Sequence, residues 1–310
     1  MDGGSKTQQV RVPMSELPGD CGRRRFLMWT PDFDTRASIL NMEISQDWKD
    51  EIKKQWTANK QQIVAGLVYE FGLQNCKIKV QNFQNIDSKP FSILAYHNDF
   101  FSQARDAFVI GAYYPALTSA CALGERILNH LVIDLRDEFR NRKEYKDVSR
   151  KKSFSNWELI IDTLAAWDVL LPDVASEFRE LAKLRNRSIH FNVKTYHSVR
   201  EDALKAILHL RKVINRQFGF FGSQPWIIKG TKGQQFIKKD YETDPFVKKY
   251  LAPICPYVGP KFSISFEGGQ GRRVFDYADY GSSDWSDEEF RAQYEAREPH
   301  TLAEPPMFPA

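Results

Sequence analysis

Between residues 98 and 218 apolar positions recur three and four apart, with no convincing alternating run, and this spacing predicts helix throughout. The first predicted helix covers about 98–111, where Gly111 suits a C-terminal stop. The second begins near Pro115, a favoured first-turn position, and runs through "ALTSACALGERILNHLVIDLRDEF". The short loop between them predicts antiparallel packing. A third helix starts near Ser155 and ends before Leu171-Pro172. A fourth, with Asp173 as its N-cap, runs "VASEFRELAKLRNRSIHF" and turns Phe178, Leu181, Leu184 and Ile189 inward. A fifth, about Ser198 to Phe218, closes the bundle.

The flanks follow other patterns. "RRRFLMWT" and "SILNMEIS" read as short strands, while "SQDWKDEIKKQWTANKQQIVAGLVYEFG" repeats Ile52, Trp56, Ile63, Leu67 and Phe71 in helical register. "CKIKVQNF" alternates Cys76, Ile78 and Val80 with Lys77, Lys79 and Gln81, which predicts a strand with one wet face. Beyond Gly219, "PWIIKG" and "QQFIKK" flank a Gly-Thr-Lys-Gly turn, and "KFSISFE" and "RRVFDY" flank Gly268-Gly269-Gln270-Gly271. A last helix starts at Ser286, with Glu289 completing a capping box, and the proline-rich "EPPMFPA" reads as disordered.

The expected fold class is therefore a multidomain α+β chain in which a central all-α helical bundle is flanked by smaller α+β and β-rich segments. Its expected divisions are an N-terminal α+β domain over 1–96, the bundle over 97–218, a β-rich or α+β segment over 219–300 and a disordered tail over 301–310. Pairing of the C-terminal segment with the N-terminal strands, which would make the bundle an insertion, stays open.

Composition agrees with this division, since 310 residues at 42% hydrophobic and 27% charged describe a soluble protein of more than one domain. No window approaches the roughly 18 consecutive apolar residues of a membrane span, and the first residues lack a signal-peptide layout. The expectation is a cytoplasmic protein without membrane contact. Cys21, Cys76, Cys121 and Cys255 lie far apart with no CxxC pair, so they read as buried free thiols. The net charge of +4 is small but unevenly spread. Residues 140–152 carry seven Lys or Arg against Glu144 and Asp147, and residues 274–298 carry eight acids against Arg291 and Arg297. Solvated surface accounts for both stretches; near a nucleic-acid site, the basic one would also attract phosphate through Arg150, Lys151 and Lys152.

Candidate chemistry concentrates in "LRNRSIHFN", residues 184–192, where Arg185, Asn186 and His190 fall at the end of the fourth predicted helix. Together with "FSQARDAFVIGAYYPALTSACALGERILNHL", this stretch resembles the HEPN family of helical bundles, whose signature is arginine, a polar residue and then histidine at R-x(4 to 6)-H. The resemblance covers about residues 98–218. The short motif is weak alone, since about one chance match is expected from 21 arginines and six histidines. Asparagine beside the arginine and the order of the helices sharpen it.

The resemblance implies a metal-independent endoribonuclease, without cofactor or metal, in which two bundles pair as a homodimer and two motifs form one composite cleft. The ribose 2′-hydroxyl would attack the neighbouring phosphorus. His190 would transfer protons, as its ordinary pKa near 6.5 suits, Arg185 would hold the phosphate, and Asn186 would orient either. Five residues apart, Arg185 and His190 sit about 140° apart on an ideal helix, so the arginine must reach around. Arg187 is a candidate for a flanking phosphate or for an exposed salt bridge. Glu125, on the second helix, is a candidate supporting residue that can face the motif across the bundle, with an ordinary surface position as the alternative. A toxin or antiviral-defence setting, with an antitoxin or regulatory protein as partner, follows from the same resemblance. The competing expectations are a non-catalytic RNA- or protein-binding scaffold and plain helix-end capping of the trio.

Other residues suggest less. His97, His130 and His209 lack a second ligand at metal spacing and read as core or surface. Trp56, Trp157, Trp167 and Phe108 read as core, "GTKGQQF" lacks phosphate-loop spacing, and Gly268-Gly269-Gln270-Gly271 reads as a hairpin turn.

Overall fold

The computed structural model describes residues 7–9, 22–29, 32–92, 95–150, 156–189, 195–220, 224–267 and 271–303. Most described residues are helical, with small antiparallel sheets, and the chain divides into two compact units. One unit joins residues 1–29 to 223–310; the other is residues 30–222. The N-terminal strands β1 (Thr7–Gln9) and β2 (Arg25–Phe26) belong to the first.

The second unit opens with β3 (Asp32–Asp34), α1 (Arg36–Asn41), α2 (Asp50–Phe71), α3 (Cys76–Asn85) and β4 (Lys89–Ser92), in which β3 and β4 pair antiparallel. Two expected strands are helices here. "SILNMEIS" begins within α1, where Ala37 and Leu40, three apart, are buried. "CKIKVQNF" is nearly the whole of α3, because the residues that reach the core are Asn82, Phe83 and Ile86, a helical set, while Ile78 is 58% exposed. Three alternating apolar residues are too few to fix a period against such packing.

The bundle follows as α4 (Ala95–Val109), α5 (Tyr113–Leu135), α6 (Tyr145–Val148), α7 (Trp157–Ala166), α8 (Pro172–Ile189) and α9 (Thr195–Phe218). Helix α5 is its centre. Eleven of its residues, from Ala116 to Leu135, are buried, and it packs against α4, α7, α8 and α9. Helix α7 is capped by the Asn156 side chain, which accepts from the Glu158 amide at 2.9 Å. Asp173 does not cap α8: Pro172 takes the first helical position, where its fixed φ is preformed and its missing N–H is not needed. Asp173 instead accepts from Arg216 of α9 at 2.6 Å.

The first unit is completed by β5 (Tyr257–Val258), β6 (Ser263–Glu267), β7 (Gly271–Tyr277) and α10 (Asp287–Glu295). Strand β7 lies between β1 and β6, and β2 pairs with β5. Residues 1–96 therefore do not make one domain. The short strands β1 and β2 have no partner nearby in sequence and satisfy their backbone groups against the C-terminal segment, whereas residues 30–96 join the bundle. Leu27, Phe236, Phe262, Phe290 and Tyr294 belong to this unit's core, and Ser286 with Glu289 forms the capping box of α10. The "EPPMFPA" tail, Cys21 and residues 268–270 of the glycine-rich turn lie outside the described residues. No helix among the described residues is long and apolar enough to cross a membrane.

Candidate functional site

Helix α8 earns its place beside α5 through Gly124. A Cβ there would come within 2.5 Å of Leu181 Cδ2 and 3.1 Å of Trp157 Cη2, so only glycine admits α7 and α8 this closely. The next residue, Glu125, consequently faces Arg185, which stands one helical turn beyond Leu181.

Three of the expected site residues converge here. The Arg185 guanidinium lies 3.6 Å from the Glu125 carboxylate and donates to Asn186 Oδ1 at 3.3 Å. Trp157 Nε1 donates to the same Glu125 carboxylate at 3.2 Å, which fixes the acid from a third helix. Asn186 thus steadies the arginine itself. The ion pair is partly exposed and contributes on the order of 1 kcal/mol or less; its role is positional.

Arg185 and Glu125 line an open cleft of about 860 Å³ whose other walls come from α4 and α5. Phe100 reaches it from α4, and Arg126, Asn129, His130 and Asp134 from α5. None of these five stood out in the sequence as a site residue. The signal was present: in a helix with one continuous buried face, polar residues recur at 125, 126, 129, 130 and 134, four and five apart, as one polar stripe beside that face.

Cys121, one turn before Glu125, is buried, and burial pushes its thiol up to about 12 against the opposing pull of the Arg185 charge. It stays a neutral thiol and no nucleophile. Cys255 is likewise buried, whereas Cys76 is only half-buried.

The remaining expected residues are placed elsewhere. Arg187 turns to Asp202 of α9 and grips both carboxylate oxygens, one from Nε at 3.0 Å. Asp202 is buried and also accepts from Ser198 at 3.1 Å, so Arg187 has the salt-bridge arrangement. Arg150 is exposed just past α6 and does not line the cleft. His190, Lys151 and Lys152 lie outside the described residues, as do the side chains of Ile189 and His97. Of the other histidines, His209 bonds Glu177 at 2.5 Å. Trp157, Trp167 and Phe108 are core residues, and Trp56 is half-buried beside Trp48.

A second cleft, of about 470 Å³, lies among β3, α1, α2 and α4. Its charges are largely spent on one another: Arg36 binds Asp34 and Glu70, and Lys89 binds Asp32 and Ser102. Burial lowers Arg105 there to about 10, its guanidinium donating to the Ile86 and Asp87 carbonyls. The described residues place no group of three or more His, Cys, Asp or Glu where it could hold a metal ion.

Comparison with family models, curated proteins and solved structures returned no match.

Proposed function

We propose that the helical bundle is a metal-independent endoribonuclease of HEPN type. The observation that carries this reading is the convergence of Arg185 and Asn186 from α8 with Glu125 from α5 on the wall of a polar cleft, five residues before His190. In the proposed reaction the ribose 2′-oxygen bonds to the neighbouring phosphorus while the bond from phosphorus to the 5′-oxygen breaks. The 2′-hydroxyl gives its proton to a base, an acid protonates the departing 5′-oxygen, and the products are a 2′,3′-cyclic phosphate and a 5′-hydroxyl. His190 supplies proton transfer near neutral pH. Arg185 offers its planar fork to the phosphate oxygens as charge builds on them, and Glu125 and Asn186 hold that fork in place. A homodimer through the bundle would bring two histidines together as base and acid.

One observation favours the non-catalytic alternative, an RNA- or protein-binding scaffold: Glu125 already balances the Arg185 charge at 3.6 Å. The test is Arg185→Ala against wild type on a panel of single-stranded and structured RNAs in EDTA, with folding checked by circular dichroism. The ribonuclease reading expects cleavage by the wild type and a loss of at least a hundredfold in the variant. Binding without cleavage in both proteins supports the scaffold.

A further inference from the structure

Residues 125 and 126 are neighbours on α5 and point about 100° apart on an α-helix. Glu125 turns to Arg185 of α8, while the Arg126 guanidinium lies over the Phe100 ring of α4 at 5.2 Å. Arg185 and Arg126 therefore reach the cleft from its two sides at one level of α5. Their surroundings differ. Glu125 balances the Arg185 charge, whereas Arg126 is exposed and has neither an ion pair nor a hydrogen bond among the described residues. Other arginines of the bundle, Arg179, Arg187, Arg211 and Arg216, each reach a carboxylate. The Phe100 ring steadies the Arg126 guanidinium and gives its N–H groups no oxygen to bond. Asp134, the next acid on that row of α5, stands two turns on, about 12 Å along the axis.

We propose that Arg126 holds a phosphate of an RNA strand, and a different phosphate from the one that Arg185 meets. An uncompensated guanidinium, steadied on the wall of an open cleft, presents its planar fork to an oxyanion without first giving up a carboxylate. Because the two guanidiniums are drawn apart, one to α8 and the other to α4, the strand lies across α5 with one phosphate on each side. The identity of the ligand as RNA rests on the ribonuclease reading; the test reads binding and does not depend on cleavage.

The experiment is fluorescence anisotropy on the full-length protein in EDTA with a fluorescein-labelled, mixed-sequence 2′-O-methyl RNA octamer, which cannot be cut, from about 50 to about 200 mM salt. Each phosphate contact on a single strand steepens the fall of affinity with salt by about 0.7 on logarithmic axes. Arg126→Gln, at an exposed position and with folding checked by circular dichroism, is expected to make the slope shallower by about 0.7 and to weaken binding about fivefold at about 0.1 M salt. Added to Arg185→Ala, it is expected to make that variant's slope shallower by a further 0.7 or so, as two separate phosphates require. Arg126→Lys keeps the charge and loses the fork, so it is expected to keep the wild-type slope at a lower affinity. A slope unchanged by Arg126→Gln, a lysine variant as shallow as the glutamine one, or a double variant no shallower than Arg185→Ala would each overturn the subsite. Cleavage of RNA by the wild type alongside any of these results would leave the nuclease standing without it. The expected slopes without cleavage of any RNA would do the reverse, and no binding of the octamer would overturn the subsite together with the RNA ligand.

Discussion

Replacing Gly124 by alanine tests the contact on which the cleft depends. Alanine in place of glycine inside a helix ordinarily stabilises by about 0.5–1 kcal/mol, because less backbone freedom is lost on folding. At Gly124 the added methyl would lie 2.5 Å from Leu181 Cδ2 and 3.1 Å from Trp157, well inside the roughly 3.5–4.0 Å of an ordinary carbon contact. Leu181 is fully buried and Trp157 nearly so, and neither has solvent to retreat into. Overpacking of this kind costs about 1–3 kcal/mol, so the net expectation is a loss of about 1 kcal/mol. Gly66, exposed on α2 with nothing within 4 Å of its would-be Cβ, is the control and should show the ordinary gain. In urea unfolding followed by circular dichroism, Gly124→Ala is expected to lower the midpoint of the bundle transition by roughly half a molar at a slope of about 2 kcal/mol per molar. Gly66→Ala should raise it. A Gly124→Ala protein as stable as wild type would refute the claim that this glycine sets the α5–α8 distance.

Arg187→Ala is expected to destabilise by about 1–2 kcal/mol in the same assay, since it strips the buried Asp202 of its main counter-charge; Arg187→Ala together with Asp202→Asn should recover part of that loss. Equal loss in the double variant would argue against the pairing. Burial raises the thiols of Cys121 and Cys255 from 9.0 to about 12, so the folded chain keeps protons that the unfolded chain releases. Their effect on stability is nil below pH 9, and stability falls as pH rises from 9 to about 12; Cys121→Ala should flatten part of this fall in pH-dependent urea titrations. At pH 8 in the native state a thiol reagent should modify Cys76 before Cys121 or Cys255, a ranking readable by mass spectrometry. Glu125→Gln keeps an acceptor for Trp157 and removes the charge opposite Arg185, so RNA affinity should rise severalfold in a filter-binding assay; unchanged affinity would mean that Arg185 does not meet the phosphate.

What could be read from the chain depended on how many residues carried each signal. Helix α5 and the capped α10 were legible because eleven buried residues in register and a reciprocal Ser286–Glu289 cap leave little choice of structure. Helix α3 was not, because Cys76, Ile78 and Val80 satisfy a strand as well as a helix, and the deciding contacts of Asn82 are made with Phe108 and Val109, distant in sequence. The composition of the first unit was equally hidden, since β2 is two residues long and its partner β5 follows more than 200 residues later. In the site, Glu125 stood out only as a residue able to face the motif across the bundle; its 3.6 Å approach to Arg185 depends on the close α5–α8 packing at Gly124. The Phe100, Asn129 and His130 side of the cleft did not stand out, because each residue alone looks like ordinary helix surface.

The central claim is cleavage by the RNA's own 2′-hydroxyl, and the most direct measurement is the chemistry of the product ends. Purified wild-type protein and His190→Ala would be incubated in EDTA with an RNA, and with the same RNA carrying a single 2′-deoxy substitution on the 5′ side of the cut. The account predicts a 2′,3′-cyclic phosphate from the wild type, no cut at the substituted position and no products from His190→Ala. Cleavage that persists at the deoxy position, or in His190→Ala at the wild-type rate, would contradict it.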